Sequence, residues 1–306
     1  MPSWRTTLTT AGISGARLRG DYTHAARRVL RREPAPYLAL RLLAAPPLVP
    51  WLAAGLAFMN RVDDVAETGT PDQRAAGLAE LGARVRRALE TGDGADPLLR
   101  AYAHAVDSRG LPAEWIFRFL DGAAAAEAVF DGFASEEEFQ AYLDAYAWPG
   151  VLVFTGLQYE GGPDAEQAAG WRRFVDAAQR VDFLADLAGD LSQGRLCIPR
   201  ARLAEHSVTR ADLERARDTP AVRELLAAEC GRARSALAAA EDVVDLADPG
   251  LRAVASTMTE LMGHQLTAVE RAGAGALRKD VGYGFAAPLR TLARARSRRP
   301  RTAVRQ

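Results

Sequence analysis

The chain is poor in most of the features that announce a familiar chemistry. Two cysteines, Cys197 and Cys230, in 306 residues are too few for a disulfide framework or a cysteine-held metal. That sparsity fits a reducing, cytoplasmic setting and argues against redox chemistry. The four histidines, His24, His104, His206 and His264, are scattered without the spacing of a zinc site. No Gly-x-Ser-x-Gly elbow, P-loop or strand-bounded Gly-x-Gly-x-x-Gly occurs, which argues against serine hydrolase, nucleotide and dinucleotide chemistry. Neither sign of charge is in excess: 39 Lys and Arg balance 39 Asp and Glu, so no global field draws the protein to nucleic acid or an anionic membrane. Long apolar runs are missing too. Residues 1–20 lack the core of a secretory signal. The stretch 37–59 is broken by Arg41, Pro46, Pro47 and Pro50, so it reads as a pair of core helices rather than a bilayer span.

What is present is helical. Alanine, leucine, arginine and glutamate dominate, and apolar residues recur at three- and four-residue spacing. Start signals stand at Thr70 before Pro71, Ser135 with Glu138, Thr209 with Asp212, and Thr219 before Pro220. Stops stand at Gly110 with Pro112, at Gly161 and Gly162 before Pro163, and at Pro249 with Gly250. These signals predict helices over 22–32, 51–68, 71–91, 97–109, 113–131, 136–148, 164–191, 220–247, 251–273 and 275–296, with no strand. Short connections favour antiparallel neighbours in one all-α domain over 1–306, with an N-terminal extension at 1–20 and a basic tail at 290–306. The tail reads as a solvated end or, alternatively, as a peripheral contact with acidic lipid.

Two acidic clusters carry the chemistry. Asp63, Asp64 and Glu67 end an otherwise apolar helix, at three- and four-residue spacing that brings carboxylates to one face. Like charges so placed repel by about 0.2–0.5 kcal/mol per pair in an isolated helix, and a cation reverses that sign. Magnesium suits because it takes oxygen ligands and is held by one or two carboxylates together with substrate phosphate. Asp182, Asp186 and Asp190 form the second stripe, flanked by Phe183, Leu184, Leu187 and Leu191 as expected beside an interior cavity.

At these clusters the chain resembles the squalene/phytoene synthase family of class I, trans-isoprenyl terpenoid synthases. Arg61, Asp63, Asp64 and Glu67 match an arginine followed by Asp-Asp-x-x-Asp. Gln179, Asp186, Asp190, Gly194, Arg195 and Pro199 match Gln-x-x-Asn-x-x-Arg-Asp-x-x-x-Asp followed by Gly-Arg-x-Tyr-x-Pro. Three departures stand out: Asp182 for asparagine, Ala185 for the arginine that helps hold a diphosphate, and Cys197 for tyrosine.

The resemblance implies a helical bundle around a central cavity. It also implies that Asp63, Asp64, Glu67, Asp182, Asp186 and Asp190 are the catalytic, magnesium-binding set, with more than one Mg2+ gripping an isoprenyl diphosphate. Arg61, Gln179 and Arg195 are then candidate diphosphate-side contacts, and Phe58, Tyr146, Trp148, Phe154 and Phe183 candidate cavity aromatics that face an allylic cation. Head-to-head coupling of two farnesyl or geranylgeranyl diphosphates is the reaction implied. The loss of an arginine at Ala185 keeps a single-substrate terpene cyclase as the alternative. A non-catalytic assembly factor is the third reading, and use of NADPH stays open.

Overall fold

The computed structural model describes residues 2–92, 94–128 and 130–282. The basic tail and most of the helix predicted over 275–296 lie outside the described residues. The described residues form an all-α fold whose one strand-like feature is an isolated bridge between Gly132 and Leu196.

At its centre is α4 (Leu48–Glu67). It is apolar on all sides from Leu48 to Phe58, and a helix of that kind is stable in water only when surrounded. It is walled by α2 (Ala16–Arg32), α5 (Pro71–Thr91), α6 (Pro97–Arg109) and α9 (Trp148–Thr155). Gly55 permits the tightest of these approaches, since a Cβ there would lie 2.7 Å from the Phe154 Cα. The remaining cavity wall comes from α3 (Pro34–Leu43), α10 (Ala165–Ala185) and α16 (Arg252–Ala272). A second apolar cluster gathers Leu184, Leu187, Leu191, Leu203, Leu225 and Leu266 behind the C-terminal half of α10. It involves α11 (Leu187–Ser192), α12 (Arg200–Glu205), α13 (Arg210–Glu214) and α14 (Pro220–Ala239).

The capping signals act as predicted at Thr70, Thr209 and Thr219, while at Ser135 the Glu138 carboxylate accepts from Ala134 N–H and leaves the expected capping box open. Thr70 and Thr209 each close a capping box, and Ser135 and Thr219 accept from the backbone N–H three residues on. The expected pair of helices in 37–59 is α3 followed by α4.

Elsewhere local pattern yields to packing. Residues 1–20 are helical rather than a loose extension over most of their length: α1 (Trp4–Thr10) is capped by Ser3, Trp4 Nε1 donates to Thr23 Oγ1, and Leu8 and Ile13 are buried. The helix predicted over 164–191 breaks at Asp186, where φ and ψ are −99° and 14°. That over 220–247 stops at Ala239, before a short α15 (Val243–Leu246). The helices predicted over 113–131 and 136–148 are α7 (Ala113–Gly122) and α8 (Glu136–Tyr142), each running on into a π-helical turn, Ala123–Glu127 and Leu143–Ala147. No helix among the described residues is long and apolar enough to cross a membrane.

Candidate active site

The last turns of α4 present the first cluster. Tyr146, held on the second π turn, donates from its hydroxyl to Asp63 Oδ1 at 2.6 Å. Burial nevertheless pushes the Asp63 carboxyl up to about 7; Glu67 and Glu127 add to the rise, while Tyr146 and Arg32 oppose it. Asp64 turns instead toward α2, where Arg28 and Arg32 both pair with it. Glu67 is raised by burial and by Glu127.

The second cluster survives the break at Asp186. The Asp186 N–H donates to Asp182 O and the Asp190 N–H to Asp186 O, both at 2.9 Å, so the four-residue spacing of the stripe is kept across the kink. Asp182 lines the cavity and keeps accessible surface. Enclosure by protein, then Asp186, Asp190 and Glu67, raise it to about 7. Glu67 is among the charges that raise Asp182, so the two clusters lie within electrostatic reach of one another. Asp186 and Asp190 are raised by burial and by Asp280, and Cys197 Sγ donates to Asp190 Oδ2 at 3.1 Å.

Between the clusters stands a seventh carboxylate that the sequence reading missed. Glu127, 5% exposed, accepts from Tyr142 Oη at 2.6 Å and from Arg195 Nη1 at 2.8 Å. Arg195 also approaches Asp190 at 3.6 Å and lies over the Phe130 ring. Glu127 and Tyr146 both sit on π turns, whose extra residue re-aims a side chain. The two turns meet where Gly122 crosses Ala145; a Cβ on Gly122 would fall 1.9 Å from the Ala145 carbonyl oxygen. The one available signal was an acidic residue alone in the run Ala123–Ala128. Arg28, Arg32, Tyr142 and Asp280 were missed as well, because only tertiary packing brings them to the clusters.

The cavity beneath is about 430 Å3, in the size range of small-molecule sites. Leu52, Leu56, Phe154, Trp171, Phe174 and Met258 are among its apolar walls, and Gln179 and Asp182 stand on its polar side. Among the aromatic residues singled out above, Phe154 lines it. Phe58 is fully buried and stacks on Tyr102, with centroids 4.1 Å apart. Phe183 packs with Phe130, Phe133, Phe139 and Tyr142, and Trp148 packs half-buried against the main core. Tyr146 acts through Asp63. Arg61 is half-buried and makes no hydrogen bond or ion pair among the described residues. Ala185 is fully buried, with its carbonyl accepting from Val281 N at 2.7 Å.

The donor set suits a hard divalent cation only in part by itself. Among the described residues no three acidic, histidine or cysteine groups close on one point. The carboxylates repel one another across a gap, and the buried Nε atoms of Arg28 and Arg195 have no hydrogen-bond partner. Such mutual repulsion fits cations whose remaining ligands are phosphate oxygens.

Helices walling an apolar cavity with acidic clusters on opposite sides make up the architecture of the helical terpenoid synthases. Three solved structures share this fold: squalene synthase HpnC from Alicyclobacillus acidocaldarius (24% identity, TM-score 0.70, covering 88% of this chain and 96% of that one), a dehydrosqualene synthase in complex with ligand (17%, 0.79, 92% and 96%), and YisP from Bacillus subtilis (16%, 0.69, 90% and 96%). At these identities they establish the fold alone. The chain belongs to the squalene/phytoene synthase family, whose profile matches residues 30–293. It is 27% identical over 258 residues to the bifunctional protein CrtB/UppS of Streptomyces coelicolor, and the match covers 83% of this chain and 45% of that longer protein.

Proposed function

We propose that the protein ionises all-trans isoprenyl diphosphates with Mg2+ and couples two of them head to head, farnesyl or geranylgeranyl diphosphate being the substrate. The observation that carries this reading is a pair of carboxylate clusters within electrostatic reach of each other, Glu67 of one acting on Asp182 of the other, with Asp182 lining an apolar cavity of about 430 Å3. Asp63, Asp64, Glu67, Asp182, Asp186 and Asp190 would hold the metal, Asp64 on exchanging its pairs with Arg28 and Arg32 for it. Bound magnesium supplies Lewis-acid neutralisation of the departing pyrophosphate.

The chain's own groups do the rest. Tyr146 fixes the orientation of Asp63, and Arg195, clamped by Glu127, holds its planar fork beside Asp190. The apolar walls exclude water that would quench an allylic cation, and the Phe154 ring supplies a π face.

One observation favours the single-substrate alternative. Ala185, where the family carries an arginine, is fully buried with its carbonyl taken by Val281 N, and Asp280 adds negative charge at the neighbouring Asp186. A cyclase acting on one farnesyl or geranylgeranyl diphosphate tolerates that loss better than a two-diphosphate enzyme. The test is incubation of purified protein with Mg2+ and geranyl, farnesyl or geranylgeranyl diphosphate, followed by mass analysis of hexane-soluble products. Twice the substrate's carbon count supports coupling, and an equal count supports cyclisation. No product, with or without NADPH, leaves the non-catalytic reading.

A further inference from the structure

Two ionisable side chains line the cavity among the described residues, and the reaction proposed above uses one of them, Asp182. The other is Glu33. It sits at the joint where α2 ends and α3 begins, its backbone N–H bonded to Val29 O at 2.7 Å and its carbonyl accepting from Tyr37 N at 3.2 Å. Its side chain caps neither helix. The one ion pair it makes is a long one, 3.9 Å to Arg32 Nε, whose guanidinium also pairs with Asp64. The wall it shares is largely apolar, with Ala35, Pro36, Leu40, Leu52, Leu56 and Met59 in it, while Arg32, Asn60 and Asp64 act on the carboxylate itself. A partly buried carboxylate that caps no helix on such a wall costs desolvation energy that folding alone gives no reason to bear.

We infer, on the strength of the proposed ionisation, that Glu33 is the base that ends the reaction by taking a proton from the hydrocarbon cation. In that step the C–H bond next to the cationic carbon breaks and its electron pair becomes the new C=C bond. The proton goes to a Glu33 carboxylate oxygen. A third of the Glu33 side chain remains accessible, so its carboxylate oxygens are open to an occupant of the cavity it lines. Burial raises its pKa and Asp64 adds to the rise, while Arg32 and Asn60 oppose it.

Asn60 completes the arrangement as a positioning residue. It is 1% exposed on α4, and neither its amide oxygen nor its amide nitrogen has a hydrogen-bond partner among the described residues. Its side chain lies near enough to favour the ionised form of Glu33. A buried amide with open valences beside a lone cavity carboxylate is placed to hold that carboxylate as it gains and loses a proton.

The experiment is a product ratio. Wild type and Glu33→Gln are incubated with Mg2+ and farnesyl diphosphate without a reductant, and alkene formed is divided by pyrophosphate released. Gln keeps the shape and removes the base. The expected result is a fall in that ratio of tenfold or more in Glu33→Gln, with alcohol or an uncoupled diphosphate intermediate in place of alkene, and partial recovery in Glu33→Asp. An unchanged ratio in Glu33→Gln overturns the assignment of Glu33 and leaves the ionisation chemistry standing. A wild-type product that forms only when NADPH is supplied overturns it too, because hydride rather than proton loss then ends the reaction. Absence of pyrophosphate release from wild type overturns the ionisation itself, and the base with it.

Discussion

Replacing Tyr146 with Phe removes one oxygen and leaves the ring stacked on Phe119, 5.4 Å between centroids. The lost group is the hydroxyl that donates to Asp63 at 2.6 Å. A hydrogen bond to a charged acceptor is worth about 1.5–3 kcal/mol, which corresponds to about 1–2 pKa units. Asp63 already stands at about 7 with that bond in place. Without it the carboxyl moves to about 8–9, and its ionised fraction at pH 7 drops from about one half to between about one tenth and one hundredth. Protons and Mg2+ compete for the same oxygens, so the Mg2+ concentration giving half-maximal pyrophosphate release at pH 7 should rise about 5- to 50-fold. Above pH 9 the two enzymes should converge, because Asp63 is then largely ionised in both. The assay is a Mg2+ titration of pyrophosphate release at pH 7 and pH 9.5. A shift equal at both pH values, or none at pH 7, refutes the coupling of Tyr146 to metal binding through Asp63.

Three other outcomes follow from the geometry. Asp63→Ala and Asp186→Ala should each lower pyrophosphate release by about 100-fold or more with little change in melting temperature, since each removes a ligand rather than core volume; wild-type activity in either contradicts the facing-cluster arrangement. In the metal-free protein, Asp63 and Asp182 at about 7 keep protons that the unfolded chain has lost above about 4, so the stability they contribute is present at acid pH and lost as pH rises through 7. Calorimetry in EDTA should therefore give a lower melting temperature at pH 8 than at pH 6.5, and Mg2+ with pyrophosphate should restore it; a rise with pH in EDTA contradicts the burial of these carboxyls. Gly122→Ala forces a methyl against the Ala145 carbonyl, which should cost about 1–3 kcal/mol or more and lower the melting temperature by about 2–10 °C, read by thermal unfolding.

The helices and their caps are legible in the sequence because they are decided by neighbours three and four residues apart. Thr70 and Thr209 close their boxes with residues three positions on, and the chain carries both partners in view. The two carboxylate stripes are legible for the same reason. The lining of the cavity was less so: of the aromatics singled out, Phe154 faces it, while Phe58 went to Tyr102, because helical spacing says which residues share a face and not which neighbour that face meets.

By itself, then, the sequence determined an all-helical chain, the start and stop of most of its helices and two acidic stripes at metal-binding spacing. Tertiary structure decided that Glu67 of one stripe comes within electrostatic reach of Asp182 of the other, that Asp182 lines an apolar cavity, that Arg28 and Arg32 claim Asp64, and that Glu127 is held by Tyr142 and Arg195. The π turns that aim Glu127 and Tyr146 belong to this second group, since they form where α7 and α8 continue past one another at Gly122. These pairs lie 15 to 83 residues apart in the chain. Contacts at such separations depend on how whole helices pack, and no local pattern of charge or hydropathy encodes them.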